Sequence, residues 1–593
     1  MRTVFPVLAI FLLSNFALGQ PATAPAPGAG AEQMYRQIDA SLQAIQKDIP
    51  HITEVAEAAA KVYLSNDGMK IGADGASALY AEAAGRSGGI MAMGAWWVTD
   101  PNLFPKGVML YGLRDGSFDV QLKTLADYNK RGLHVIAIGR RDLIDRAKQG
   151  GAKFVGELEN HAAEHGGLFD AGDGKWLVPT DDIADIMVLW TWTGEFVSAC
   201  TRSGWMPTMW ESINVPGGKE RDERMQHFKF HEKVPEKVEA GKVAGEYLTI
   251  VSDHLKQLHD SEMSKIAQAS ALAAKAYAAH HGVYAEIDGH AIYYQFGAPH
   301  DPGYFERVND APNGKAVPFD FQAGDFVMCY GYMTSEKGGF GGGLIEQARK
   351  AGATIAWTIS TRNADQVEAI PRDEIFIDPK WAGDDCEIQY PGYDIKVLPI
   401  SGILTDAIVV MMQAEMFAQL PRAAEAKAFE VVKVAEGFKF PEGPAYDGRG
   451  ELGHIYVSNC DGDTISVVNA NGHVRQAYRA TESKFGKTNG LTVGPFSALY
   501  ACDQGKKAIL RLVAGEFQVV ADACAGQPFQ GPNDLAFGLK GDLYFTDPAG
   551  SNEKNPIGCV YRVAPDRKVT KVAEGLAFPN GIAFSTNGKT LYV

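Results

Sequence analysis

The sequence predicts a multidomain chain, a duplicated and doubly wound α/β region followed by an incomplete all-β propeller. Three observations carry this. The chain has 593 residues, more than one hydrophobic core holds, and its length suggests three to four domains. Between 35 and 420, helical patterns alternate with short, wholly apolar strands, and the series runs twice. Beyond 428 helical periodicity disappears, and one strand opening recurs four times at intervals of 44 to 47 residues.

The duplication is read from matched segments. A helical pattern over 34–63 leads to the turn Ala73-Asp74-Gly75, and one over 247–277 leads to Ile287-Asp288-Gly289. The strand candidate GVMLYG at 107–112 is matched by FVMCYG at 326–331, each followed by a helix and a second buried strand. Asp74 and Asp288 lie 214 residues apart, Tyr111 and Tyr330 219, and such near-equal offsets mark an internal repeat. Short, fully apolar strands between helices indicate parallel sheets covered on both faces. Such sheets bind ligands in the loops at their carboxyl ends. Those loops hold Arg114 and Ser117 in the first copy and Thr334 and Ser335 in the second. For Arg114 and Ser117 a solvated turn is the alternative. His290 and Glu211 are acid/base candidates, with packing or surface roles as the alternative.

The N-terminus carries Arg2, an apolar run from Thr3 to Phe16, then Ala17-Leu18-Gly19. Charge, apolar core and small residues in that order make a signal peptide, cleaved before Gln20. The mature protein is therefore expected to be exported, periplasmic or secreted, with no membrane span after cleavage. The expected boundaries are 1–19 signal peptide, 20–34 flexible linker, 35–240 and 241–420 α/β repeats, and 428–593 propeller. Net charge is −16, a field that repels phosphate backbones and argues against nucleic acid as a partner. Of seven cysteines none forms a CxxC. Cys460 and Cys502 close equivalent strands of neighbouring repeats and are the first disulfide to test.

The four openings are PEGPAYD, TNGLTVG, PNDLAFG and PNGIAFS, with Glu442, Asn489, Asn533 and Asn580 at the equivalent place. Each leads into a second strand, HIYVSN, ALYACD, DLYFTD or TLYV. Four strands per ~45 residues make a propeller blade. Radial repetition brings equivalent positions together at one end of a central channel. One carboxylate with several amide oxygens suits Ca²⁺, or another divalent cation such as Mg²⁺, Mn²⁺ or Zn²⁺. For any one Asn-Gly alone, a simple turn is the alternative.

FPEGP, KTNGL, GPNDLAF, LYFTDP and FPNGIAFS with NGKTLYV resemble the gluconolactonase and senescence marker protein (regucalcin-like) family. That resemblance implies a six-bladed-type propeller and a Ca²⁺-dependent lactone hydrolase acting on a small sugar lactone. It assigns Glu442, Asn533 and Asn580 as metal ligands, and Asn489 and Asn533 to substrate. Six blades need ~270 residues, so the reading frame is expected to continue past Val593. A later family aspartate that completes the calcium shell, the candidate general base, would lie there. Residues 35–420 are similar, in order of elements and turns, to the sugar isomerase (SIS) domain in tandem. That likeness implies the alternative function, a sugar- or sugar-phosphate-binding or isomerase protein.

Overall fold

The computed structural model describes residues 17–18, 26–94, 106–331, 343–420, 423–424 and 433–593, except 69, 117, 173, 213–214, 232–235, 289–294, 309–318, 362–366, 382–384, 448–453, 470–471, 495–497, 514, 539–540 and 586–587. The chain divides into two units: 20–309 with 321–421, and 422–593 with 1–19 and 310–320. Apart from 17–18, the segment expected to be a signal peptide lies outside the described residues, as do Ser117, His290, Thr334 and Ser335.

The first unit contains two parallel sheets. Strands β1 (Ile71–Asp74), β2 (Met93–Gly94), β3 (Val108–Gly112), β4 (His134–Gly139) and β5 (Gly156–Glu159) pair in the order β2-β1-β3-β4-β5. A hairpin, β6 (Gly167–Gly172) and β7 (Lys175–Pro179), follows. Strands β8 (Val283–Asp288), β9 (Glu306–Val308), β10 (Phe326–Gly331), β11 (Thr354–Ile359) and β12 (Ile375–Phe376) pair as β9-β8-β10-β11-β12. Every pairing in both sheets is parallel. The sheets therefore share one topology, and Asp74 and Asp288 end their first strands. Every residue of β3 and of β10 is buried, which explains why both are uninterrupted apolar runs.

The helices depart from expectation in two places. A helix α1 runs over Ala29–Lys47, so the segment expected as linker is helical from Ala29 onward. The single helix expected over 34–63 is two, α1 and α2 (Ile49–Ser65), separated at Asp48. Pro50 lies in the first turn of α2, where its missing N–H costs nothing. Helix α3 (Asp181–Arg202) and helix α5 (Ser401–Gln419) are equivalent core helices, with α4 (Lys242–Ala278) between them. Although α5 is long and apolar enough to cross a membrane, it is almost wholly buried inside this unit.

A reciprocal pair of caps joins the halves. Glu195 on α3 accepts N–H bonds from Gly241 at 2.8 Å and Ala244 at 3.2 Å, at the start of α4. Glu415 on α5 accepts from Gly28, Gly30 and Ala31 at 2.7, 2.9 and 3.2 Å, at the start of α1. Each half's core helix thus satisfies the orphan donors of the other half's first helix. Both capped residues, Gly28 and Gly241, are left-handed, with φ 91° and 77°. The loops are exchanged likewise: Val178 N donates to His300 O, and Leu398 N to Gly88 O.

The second unit is antiparallel. Strands Pro441–Asp447, His454–Asn459, Thr464–Asn469 and Val474–Arg479 form one four-stranded sheet. Thr488–Val493, Leu499–Asp503, Ala508–Val513 and Glu516–Ala521 form the next. Leu535–Phe537, Leu543–Asp547, Gly558–Val563 and Val569–Leu576 form a third, and Ala583–Phe584 pairs with Leu591–Tyr592. Alternate residues of the middle sheet face opposite neighbours. Ala501 and Leu510 pack with Tyr456 and Val467, whereas Cys502 and Ile509 pack with Leu535 and Phe545.

In each sheet the residue ending the second strand ties down the loop that enters the first. Asn459 Oδ1 accepts from Lys439 N at 2.8 Å. Asp503 accepts from Gly486, Lys487 and Lys506 N–H groups, and Asp547 from Gln530 and Gly531. Removing the Asp503 carboxylate, itself buried, breaks three part-buried N–H bonds to a charged acceptor, worth about 3 kcal/mol in all. Asp503→Ala is therefore expected to cut hydrogen-exchange protection of amides 486–493 by roughly 100-fold. The expected Cys460–Cys502 disulfide is not formed: all seven cysteines are free thiols. Cys460 Sγ instead donates to the Thr488 carbonyl at 2.8 Å.

Candidate metal centre

Of the four equivalent residues of the second unit, Glu442 and Asn489 lie at the start of an inner strand and Asn533 and Asn580 just before one, and the openings touch in sequence. Gly490 N donates to Asn533 O at 2.7 Å, and Thr546 Oγ1 to Asn580 O at 2.6 Å. A Cβ on Gly443 would meet Asn489 O at 2.3 Å, and one on Gly490 would meet Asn533 O at 2.6 Å. Glycine after the polar residue therefore lets adjoining openings approach closely. Gly490→Ala forces these strands apart and is expected to destabilise the unit by about 2 kcal/mol, read from its thermal midpoint.

The donor set fits a hard cation. Asn489 and Asn533 are largely buried residues whose side-chain amides bond to no described residue. Neither amide is among the fully buried unpaired polar atoms, so both reach open space. Glu442 is half-buried; burial raises its pKa, and the nearby Asp534 charge raises it further. No described Lys or Arg pairs with either carboxylate. Asn580, which the resemblance makes a ligand, is exposed. Its backbone is fixed to the third sheet through Thr546.

Asp534 was not among the expected residues. It occupies the place held by Gly443, Gly490 and Gly581 in the other three openings, so in sequence it reads as a turn variant. Its carboxylate accepts from Leu535 N at 2.9 Å and from Ile582 N at 3.0 Å, joining the third opening to the fourth. Burial raises its pKa as well. The signal available in sequence was the one acid in a column of glycines.

The α/β candidates are less concentrated. The loop at Arg114 is clasped by Gln121, whose Nε2 donates to Arg114 O at 2.8 Å and to Gly116 O at 3.1 Å. Glu211 Oε1 accepts from its neighbour Ser212 N, away from the strand ends. Sequence reasoning missed a polar cluster at the carboxyl ends of β3 and β4. There Arg140 pairs with Asp115 and Asp181, and His300 of the second half reaches Asp115.

Comparison with known proteins bears on the family of the second unit. Residues 440–593 match the family model described as SMP-30/Gluconolactonase/LRE-like region. The gluconolactonase of Zymomonas mobilis is 37% identical over 117 residues, 18% of this chain and 33% of that protein. Lactonase drp35 of Staphylococcus aureus is 48% identical over 62 residues, 10% of this chain and 19% of that protein. Among solved structures, a Xanthomonas campestris gluconolactonase is similar at 29% identity and TM-score 0.24, over 27% of this chain and 55% of that one. The calcium-binding protein regucalcin of Agrobacterium tumefaciens is similar at 21% identity and TM-score 0.22, over 26% of this chain and 50% of that one. The C-terminal region is thus gluconolactonase-like, and the chain spans a third or less of the curated relatives' own length. The likeness of residues 35–420 to tandem sugar isomerase domains gains no support from these comparisons, and the family model matches 440–593.

Proposed function

We propose that residues 428–593 supply the cation-binding blades of an exported, divalent-cation-dependent lactone hydrolase of gluconolactonase type. One observation carries the proposal: Glu442, Asn489 and Asn533 lie on successive openings that touch one another, with amides that no described protein group satisfies. Glu442, Asn533 and Asn580 would hold Ca²⁺, and Asn489 and Asn533 would face a small sugar lactone. Bound there, the cation would polarise the lactone carbonyl and stabilise the oxyanion that develops on it. The protein's part is to place the Glu442 carboxylate at the openings, to fix the Asn533 backbone by its N–H bond to the Thr546 carbonyl, and to keep neighbouring openings in register.

The test is a chimera in which residues 440–593 replace the matching segment of the Zymomonas mobilis enzyme. Hydrolysis of glucono-δ-lactone that a chelator abolishes and Ca²⁺ restores supports the proposal. Equal rates with chelator present would refute it. Export is part of the proposal and rests on the order of charge, apolar run and small residues in positions 1–19; N-terminal sequencing of protein from its host checks it. A sugar- or sugar-phosphate-binding role for the α/β unit is the second reading, supported by two like parallel sheets, a fold class whose ligands bind outside the carboxyl ends of the strands.

A further inference from the structure

We propose that His300 is a proton-operated latch on the α/β unit: its protonated ring ties residues 297–304 and the hairpin β6–β7 to the carboxyl end of the first sheet, and loss of that proton frees them. Nδ1 lies 2.8 Å from the Trp176 carbonyl on β7. Nε2 lies 2.9 Å from Asp115 Oδ2, in the loop after β3. A carbonyl only accepts. The Asp115 oxygen accepts as well, because Arg140 Nη2 donates to the same Oδ2 at 2.8 Å. Both ring nitrogens therefore face acceptors, and only the imidazolium, with two N–H donors, satisfies both. In the neutral ring one nitrogen turns a lone pair toward its partner, and an attraction becomes a repulsion.

The backbone shows that the fold asks for no histidine here. His300 is left-handed, with φ 70°, and its carbonyl accepts from Val178 N at 2.8 Å. Val178 is buried, β-branched and followed by Pro179, yet has φ 66°, which is doubly unfavourable. In the equivalent contact of the other half, Leu398 N donates at 3.1 Å to the carbonyl of Gly88, which has φ 72°. Glycine meets that backbone demand there without steric cost. At 300 the chain carries a strained histidine instead, and its ring adds the bonds to Asp115 and Trp176 that a glycine lacks. The strained contact between His300 and Val178 relaxes once the ring lets go.

The groups facing the ring come from several elements. They are Asp115 after β3, Arg140 after β4, and Asp181 and Asp182 at the start of α3, with Arg114 near Asp182. The Gly166 backbone packs among them: a Cβ there would lie 2.2 Å from Arg140 Nη1, 2.6 Å from His300 Nε2 and 2.7 Å from Asp181 Oδ2. His165 stacks on the Trp176 ring, with centroids 4.2 Å apart. Burial opposes charge on His300, but its bonds to Asp115 and to the Trp176 carbonyl outweigh this and raise its pKa. Burial likewise opposes charge on Asp115, yet His300 and Arg140 hold it down to about 2, so it stays ionised throughout. A histidine with a raised folded pKa gives stability that is fully present below about pH 6.5, its unfolded value, and is lost as pH rises through the folded value. Burial and the adjoining Asp181 charge raise the Asp182 carboxyl to about 7. Its ionisation favours the imidazolium and so opposes release. Once released, the loop and hairpin uncover the start of α3 at the carboxyl end of the first sheet, the side on which such folds take ligands.

Hydrogen exchange of the full chain between about pH 5.5 and about pH 9, corrected for intrinsic exchange rates, tests the latch. Amides 176–180 and 297–303 are expected to lose protection by about tenfold or more as pH rises through the histidine range. Amides 86–91 and 396–400, around the Gly88 contact, should not change. His300→Asn and His300→Gly both suit a left-handed backbone, and each should give equal protection at the two ends of the range. Asp115→Asn removes the charge facing the ring and should move the transition to lower pH. Asp182→Asn should keep the switch. Circular dichroism melts establish that the variants fold. The latch is overturned if the parent's protection at 176–180 and 297–303 does not depend on pH, or if the dependence survives both His300 substitutions. It is equally overturned if the Gly88 segments open in step with them, which would make the change general unfolding.

Discussion

Replacing Glu415 by alanine is expected to cost the α/β unit about 3–5 kcal/mol, the largest effect of any single side chain described here. Its carboxylate takes three N–H bonds at the start of α1, from residues about 385 positions away in sequence. It also accepts from Gln419 at 2.7 Å. Truncation leaves Gly30 and Ala31 with buried, unpaired donors and removes a negative charge from the positive end of a helix dipole. Glu415→Gln keeps one acceptor oxygen but aims an NH₂ at the remaining donors, so about half the loss should persist. Glu195→Ala removes the reciprocal cap on α4 together with a Thr53 hydroxyl bond. The caps lie at different helix starts, so the double variant should lose nearly the sum of the two. Thermal unfolding of the four chains reads these values. A Glu415→Ala chain as stable as the parent would mean that the halves are held by packing alone.

In the chimera, Glu442→Gln is expected to reduce lactone hydrolysis by at least 100-fold at Ca²⁺ levels that saturate the parent. The change is isosteric and spares the fold, but it takes away the only expected anionic ligand on these openings. Ca²⁺ affinity follows ligand charge count steeply. Raising Ca²⁺ should recover part of the rate, which separates lost metal from lost chemistry. Asn489→Ala should have the smallest effect of the four, because its assigned role is to line the substrate space. Asp534→Asn tests the residue that sequence reasoning passed over: it keeps an acceptor for Ile582 N while removing the charge beside Glu442.

What the sequence made legible was local and periodic. The blade openings were visible because one polar position recurs at fixed spacing, and each sheet forms where its strands were expected. Strands β3 and β10 were visible because burial on both faces leaves no polar residue in either. The core helices α3 and α5 were not, because a helix buried all round shows no amphipathic stripe. Pro50 was a legible start signal for α2, but a continuous apolar pattern through 34–63 hid the break at Asp48. The Glu195 and Glu415 caps and the Asp115–His300 contact join residues 46 to 387 positions apart, where spacing carries no information. Cys460 and Cys502 were paired by their place in the repeat. The alternation of strand faces instead sends Cys502 toward the third sheet and Cys460 to the Thr488 carbonyl.

Calorimetric titration of the chelator-stripped 593-residue chain with CaCl₂, beside its Glu442→Gln variant, tests the central claim most directly. With one carboxylate and a few amide oxygens as ligands, the chain should bind one Ca²⁺ weakly, with a dissociation constant of about 10⁻⁴–10⁻³ M. Glu442→Gln should abolish that heat. Ca²⁺ binding that survives the substitution unchanged would contradict the assignment of Glu442, Asn533 and Asn580 as the cation site.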